Sequence, residues 1–262
     1  MKRRTFLKSV PALAVLAATK SSFSADANTT TPRRFASQSE AAGAAEANIT
    51  TSSIEGLQPI TLLKPQTDGG KSVLAALQVR KTNRNIRDEK LSPQMLSNLL
   101  WAAWGVNREK GQGPFGQVGR TAASASNSQE MDVYVVIPEG VYLYEAVGHR
   151  LAPVVAGDIR AKVSGHGRGG AMVKAPVILI YVADIARYSK AGFQEPGLKD
   201  PEIQKSYYNV ATGLIAGNVY LFAASQGLAA WFHNCNKAGL AAELKLRSEQ
   251  RVLYAQTVGL PA

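Results

Sequence analysis

Between Gln78 and Ile86 the chain reads QVRKTNRNI, and three cations, Arg80, Lys81 and Arg84, stand close together with Thr82 and Asn83 between them. An arginine presents a planar fork of N–H donors that meets a phosphate through paired, charge-assisted bonds, about twice as strong as neutral ones. Where the chain leaves a helix, Arg80, Thr82 and Arg84 can alternate onto one side and converge on one point. That set suits a small anion, a phosphate above all. A short basic run is more often a solvated surface, so its meaning depends on what accompanies it.

A second polar concentration, RTAASASNSQ, carries Ser124, Ser126, Asn127, Ser128 and Gln129 just ahead of an apolar strand signal. Small residues let backbone N–H groups approach a flat ligand, and Asn or Gln amides pair with the edge of a heterocycle or with a polyol chain. The alternative is a solvent-exposed serine-rich loop. A third stretch, AASQGLAAWFHNCNKAGL, closes a helix at Gly227-Leu228 and turns through Asn234-Cys235. Against these, His149, His166 and His233 are scattered, and no GxSxG elbow occurs, so neither metal-cluster nor serine-nucleophile chemistry has a signature. His149 reads as a structural hydrogen-bonder and His166 as part of a Gly-rich loop that covers a ligand. Trp101 and Trp104 read as core or dimer contacts, and Cys235 as inert.

The elements that must position these residues are legible in outline. SVLAALQV predicts a helix over 72–79 that ends as the basic run begins. LSPQMLSNLLWAAWGVN predicts another, with Ser92 as N-cap, Pro93 in the first turn and Gly105 as the stop. MDVYVVI and GVYLYEA, joined by Pro138-Glu139-Gly140, predict a hairpin, and APVILIYVAD (175–184) a strand covered on both faces. A long helix follows over 203–228, then a helix in KAGLAAELKL and a final strand in RVLYAQTVGL. Strands and helices mix without βαβ alternation, which predicts an α+β domain over 54–262. The long helix is apolar nearly all round, predicting burial on every side. Its interior Gly213 and Gly217 each cost up to about 1 kcal/mol relative to alanine. Something must therefore lie close against that backbone, either elsewhere in the chain or on a second subunit.

Composition bounds the rest. The first 25 residues join Lys2-Arg3-Arg4 to an apolar run and small residues, the layout of an export signal of twin-arginine type, and residues 26–53 read as a flexible tether. This predicts a periplasmic protein exported already folded, a route associated with bound redox cofactors. The 262 residues carry 30 Lys+Arg against 19 Asp+Glu; without the leader's five cations the excess falls to about +6. No dense basic stripe with aromatics argues for nucleic acid. Cys235 is the only cysteine, so no internal disulfide is available.

Taken in order, RKTNRNI, the RTAASASNSQ loop, the DVYVV–GVYLY hairpin, the small-residue helix ending QGL and the terminal VGLP resemble the nitroreductase-like FMN-dependent oxidoreductases from about Leu74 onward. Within them the chain is most similar to the branch that includes SagB-type dehydrogenases. The family's Arg-Arg-Ser-x-Arg-x-Phe motif is matched by RKTNRNI, and its Pro-Ser-x-x-Asn-x-Gln loop by ASASNSQ, with Ala123 in the proline's place. The resemblance implies an α+β homodimer with a mixed or antiparallel sheet flanked by helices, its long helix at the dimer interface, and FMN between subunits. Arg80, Thr82 and Arg84 would hold the phosphate and ribityl. Ala123, Ser124, Ala125 and Asn127 would approach the flavin, often from the partner subunit, and Asn234-Cys235 would lie near its N5 and O4. The implied activity is ping-pong two-electron transfer through flavin N5, from a donor such as NAD(P)H, scarce outside the cytoplasm, to a small nitro- or quinone-type substrate; the runner-up is oxidation of an azoline-type substrate. A basic pair that family members carry beyond VG-P has no counterpart here, and Arg120, Lys245, Arg247 and Arg251 are the candidate substitutes. The competing readings are a flavin-free dimeric scaffold or binding protein and a basic module for polyanions.

Overall fold

Two runs of β-branched and aromatic residues form the middle of the molecule. The computed structural model describes residues 56–112, 116–163 and 175–262; the expected leader, tether and His166 loop lie outside them. Strands β4 (Met131–Ile137) and β7 (Val177–Asp184) pair antiparallel, and every residue of both is buried. Around them lie β1 (Ile60–Thr61), β5 (Gly140–Glu145), β6 (Arg150–Ala156), β8 (Ala229–His233) and β9 (Gln250–Gly259), in a seven-stranded sheet of order β1-β6-β5-β4-β7-β9-β8. Each pairing in this sheet is antiparallel, so the expected mixed or antiparallel sheet is the antiparallel one. Two short strands, β2 (Val106–Arg108) and β3 (Gly119–Arg120), form a separate ribbon.

Side-chain alternation along the strands divides the core between two faces. Val133, Val135, Leu179 and Tyr181 pack with Leu99 and Leu100 of α2 (Pro93–Trp104) and Ile215 and Val219 of α4 (Pro201–Gln226). Tyr134, Val136, Ile178 and Ile180 face Val163 of the single turn α3 (Arg160–Val163) and Leu240 of α5 (Lys237–Glu243). The buried Gln256 ties α4 to the sheet: it accepts from Tyr181 Oη at 2.6 Å and donates to the Ala216 carbonyl at 3.3 Å.

The helix ends follow capping chemistry. Ser72 caps α1 (Val73–Val79) through Ala75 N–H, and Ser92 caps α2 through Met95 N–H, with Pro93 in the first turn. Asp200 Oδ1 accepts from Glu202 and Ile203 at the start of α4, and Gly227 ends it at φ 73. Strands β6 and β8 were not legible in the sequence: β6 carries Pro153, and AAWFH has no β-branched residue.

The expectation that α4 is covered on every side fails within one chain. Ala211, Ile215, Ala216, Val219 and Ala223 are buried, but Val210 is 61% and Leu214 44% exposed. A Cβ at Gly213 or Gly217 would meet nothing within 4 Å, so none of the described residues presses on those glycines. Val73, Leu74, Leu77 and Val79 of α1 are exposed as well.

Candidate functional site

The basic run leaves α1 in extended geometry and is pinned to the edge of the sheet. Arg80 N–H still closes the helix on Ala76 O, but its φ/ψ of −57/123 turns the chain outward. Asn83 N–H donates to Ala230 O of β8 at 2.9 Å, and Ile86 bridges to Pro261 just beyond β9. Arg87 N–H to Leu260 O and Ala262 N–H to Asn85 O fasten the rest. Extended backbone sends alternate side chains to opposite sides.

Arg80, Thr82 and Arg84 meet an aromatic support that sequence reasoning did not identify. Arg80 lies over the Tyr220 ring at 5.4 Å and Arg84 over the Trp231 ring at 5.1 Å. Thr82 Oγ1 is 3.0 Å from Tyr220 Oη, which also accepts from Phe232 N–H at 2.8 Å. Tyr220 thus fixes the hydroxyl and one guanidinium together. From the alternate positions, Lys81 and Asn83 line a cleft of about 360 Å³ with Lys71, Tyr220, Leu228 and Pro261. Among the described residues, no carboxylate pairs with Lys71, Arg80, Lys81 or Arg84. Tyr220 and Trp231 left only a faint signal in the sequence, as aromatics in segments read as core helix and turn.

The second stretch is a stiff, strained loop. Ser126, Asn127 and Gln129 have φ of 49, 52 and 51, left-handed values that side chains rarely adopt. Such strain persists only where the surroundings over-determine it, and here they do. Ser124 Oγ accepts from Gln129 N–H, and Gln129 Nε2 donates to Val118 O at 2.7 Å. Asn127 Nδ2 donates to Gln117 Oε1 while its Oδ1 accepts from Gln129. The Asn127 amide is therefore committed inside the loop. Ala123, Ser124 and Ala125 stand in the same loop, partly exposed or exposed.

The structure does not bring the two stretches together in one chain. Thr82 meets α4 at Tyr220, whereas Asn218 Nδ2 donates to Thr121 O at 3.1 Å, at the start of the loop. Residues two apart on a helix face different ways, so α4 separates them.

At the end of β8, His233 donates from Nδ1 to Asn234 O at 2.8 Å and accepts at Nε2 from Thr257 Oγ1 at 2.9 Å. Burial holds its pKa below the ordinary value, and the neighbouring Arg84 charge pushes the same way. Arg84 and Asn234 thus share one end of the sheet. Cys235 packs into the apolar layer with Leu240 and Leu244, and burial pushes its thiol up to about 11. His149 is structural, with Nε2 at 2.7 Å from Ser97 Oγ and Nδ1 at 2.9 Å from Tyr144 Oη.

Lys245, Arg247, Arg251 and Arg120, the candidate further phosphate contacts, stand away from the basic run within a single chain. Lys245, Arg247 and Arg251 lie around the start of β9, and Arg247 is tied to Asp184 at 2.6 Å. The strand's ten residues carry its other end, beside Ile86, roughly 30 Å away. Arg120 sits beside Gln129 and Trp104 instead.

With this geometry in place, comparison with known proteins is direct. The sequence model of the nitroreductase family matches residues 77–260. A crystal structure from Ralstonia eutropha JMP134, named a "putative nitroreductase", is 33% identical and superposes at a TM-score of 0.68, covering 78% of this chain and 90% of that one. A protein of Methanocaldococcus jannaschii, likewise named a "putative nitroreductase", is 28% identical over 161 residues, 57% of this chain and 71% of that protein. A chain of the Escherichia coli microcin synthetase McbBCD complex, solved with truncated pro-MccB17, is 19% identical with a TM-score of 0.55, over 76% of this chain and 77% of that one; this likeness concerns the fold alone.

Proposed function

The chain belongs to the nitroreductase family, and from that premise we propose that this oxidoreductase uses FMN and acts as a homodimer on a small organic substrate. The observation that carries the reading is that Arg80, over Tyr220, and Arg84, over Trp231, flank Thr82 and have no carboxylate partner among the described residues. Like charges held close repel one another, and a bound anion removes that cost. Two guanidinium forks and a hydroxyl match a phosphate and the polyol beside it. The donor set therefore fits the ribityl phosphate of FMN.

When bound, FMN would supply two-electron transfer in ping-pong fashion, either from a donor such as NAD(P)H to a nitro- or quinone-type acceptor or from an azoline-type substrate that is itself oxidised. The chain's own residues bind and orient. Arg80 and Arg84 neutralise the phosphate, with Tyr220 and Trp231 fixing their directions. Thr82, held by Tyr220, meets the ribityl. The open face of α4, with Gly213 and Gly217, receives the same helix of a second copy, because glycines let backbones approach closely. That pairing carries the 123–127 loop of one copy toward the basic run of the other, where its rigid backbone faces the flavin. The leader addresses the folded, loaded protein to the periplasm, where a donor other than reduced nicotinamide can serve.

The purified protein is expected to be yellow and to hold FMN. In a titration of the flavin-free protein, Arg80→Ala weakens FMN binding by about tenfold or more, the loss of a charge-assisted contact. An unchanged FMN isotherm in that variant would reject the phosphate assignment.

A further inference from the structure

A second cavity, of about 380 Å³, lies at the other end of the sheet from the basic run, where β4 begins and β5 ends. Its walls are mixed: Trp104, Met131, Leu143, Tyr144, Ala146 and Val147 stand beside Gln129 and the charged Arg120, Arg187, Asp132 and Glu145. One of these charges has no ion-pair partner among the described residues. Asp132 pairs with Arg187 at 2.7 Å, Asp184 with Arg247 at 2.6 Å, and Glu145 with Arg150. Arg120, which also lines the cavity, has no carboxylate within ion-pair distance among the described residues.

Arg120 is held in place by neutral groups. Nε donates to Gln129 Oε1 at 2.7 Å, Nη1 to the Trp104 carbonyl at 3.4 Å, and the guanidinium lies 5.4 Å from the Trp104 ring centroid. A guanidinium carries five N–H donors, and among the described residues no acceptor takes the pair on Nη2. Burial lowers its pKa to about 10, which still leaves it charged at neutral pH. A buried cation without a counter-ion is costly, and the usual remedy is a partner of opposite sign.

We propose that this cavity binds a small organic monocarboxylate, its carboxylate on Arg120 and its apolar part against Trp104, Met131 and Leu143. The volume is that of a small-ligand pocket, and its apolar side chains stand together with polar ones, of which Arg120 has an N–H pair still to place. A single charge fits better than a phosphate dianion, since one cation is unmatched and Asp132 and Glu145 line the same cavity. The proposal does not use the basic run at the opposite end of the sheet, although Gln129, which lines the cavity, also braces the 123–127 loop through Asn127 and Ser124.

The test is calorimetric titration of the purified protein with hexanoate, with hexanamide and sodium chloride as controls at matched concentration. Hexanoate should bind about tenfold or more tightly than hexanamide, as expected for a charge-assisted bond. Arg120→Gln should weaken hexanoate by a similar factor. Should Arg120→Gln fail to fold, Val147→Glu decides, because Val147 is 72% exposed at the rim. That variant places a carboxylate at the entrance and should weaken hexanoate while its FMN titration stays as in the wild type. Absence of hexanoate binding, equal binding of hexanamide, or hexanoate binding that survives both variants but is lost in Arg80→Ala would overturn the assignment.

Discussion

Glu130 shows what a single buried carboxyl does to this domain. Its side chain has no exposure; Ser128 Oγ donates to Oε2 at 2.6 Å, and Oε1 has no partner among the described residues. Burial raises its pKa above the ordinary 4.5, against the opposing pull of the Ser128 bond. The folded state then holds a proton that the unfolded chain has already released, so this group's contribution is complete below the unfolded value. It is lost as pH rises from there through the raised folded value. Chemical denaturation across that window should show wild-type stability falling relative to Glu130→Gln, which cannot titrate. Parallel pH profiles for the two proteins would mean that Glu130 is ionised in the fold. At the same scale, Asn127 illustrates a limit of residue type as evidence. Its amide has the chemistry to meet a flavin edge, yet both of its ends are engaged by Gln117 and Gln129, leaving backbone and small neighbours to do any contacting.

At the scale of elements, α4 holds the arrangement together. Its start is fixed by Asp200 and its end by Gly227, and between them Asn218 and Tyr220 reach the loop and the basic run on different sides. Gly227 adopts φ 73, and a Cβ there would meet nothing within 4 Å, so the cost of a side chain is conformational rather than steric. Gly227→Ala is expected to destabilise the domain by about 1–2 kcal/mol, a drop of several degrees in Tm by calorimetry. No change would mean that the helix end can leave the left-handed region freely. Because Leu228 N–H closes back onto Ala223 O, a loosened end would also shift β8 and the aromatic support of Arg84.

For the whole molecule, the decisive feature is a surface the single chain leaves uncovered. Val210, Gly213, Leu214 and Gly217 of α4 share that condition with Val73, Leu74 and Leu77 of α1. Apolar side chains left exposed in this number are what subunit interfaces present. Leu214→Glu should leave the monomer fold intact, since the side chain touches solvent, while converting a dimer to monomers in sedimentation velocity. FMN binding should weaken in parallel if the site spans two copies. A wild-type protein that sediments as a monomer would remove the dimer from the proposal.

Much of this was legible from residues alone. Ser92-Pro93 and Ser72 announced helix starts because capping is local chemistry, and MDVYVVI and VILIYVAD announced buried strands because β-branched runs have few other uses. What the sequence left undecided depends on contacts between distant segments. The identity of Tyr220 and Trp231 as supports, the commitment of Asn127, the distance of Arg247 and Arg251 from the basic run and the unmatched charge of Arg120 are all set by which strand ends lie side by side. The glycines of α4 make the same point: composition asks for a close neighbour, and only the packed chain shows that none of the described residues is that neighbour.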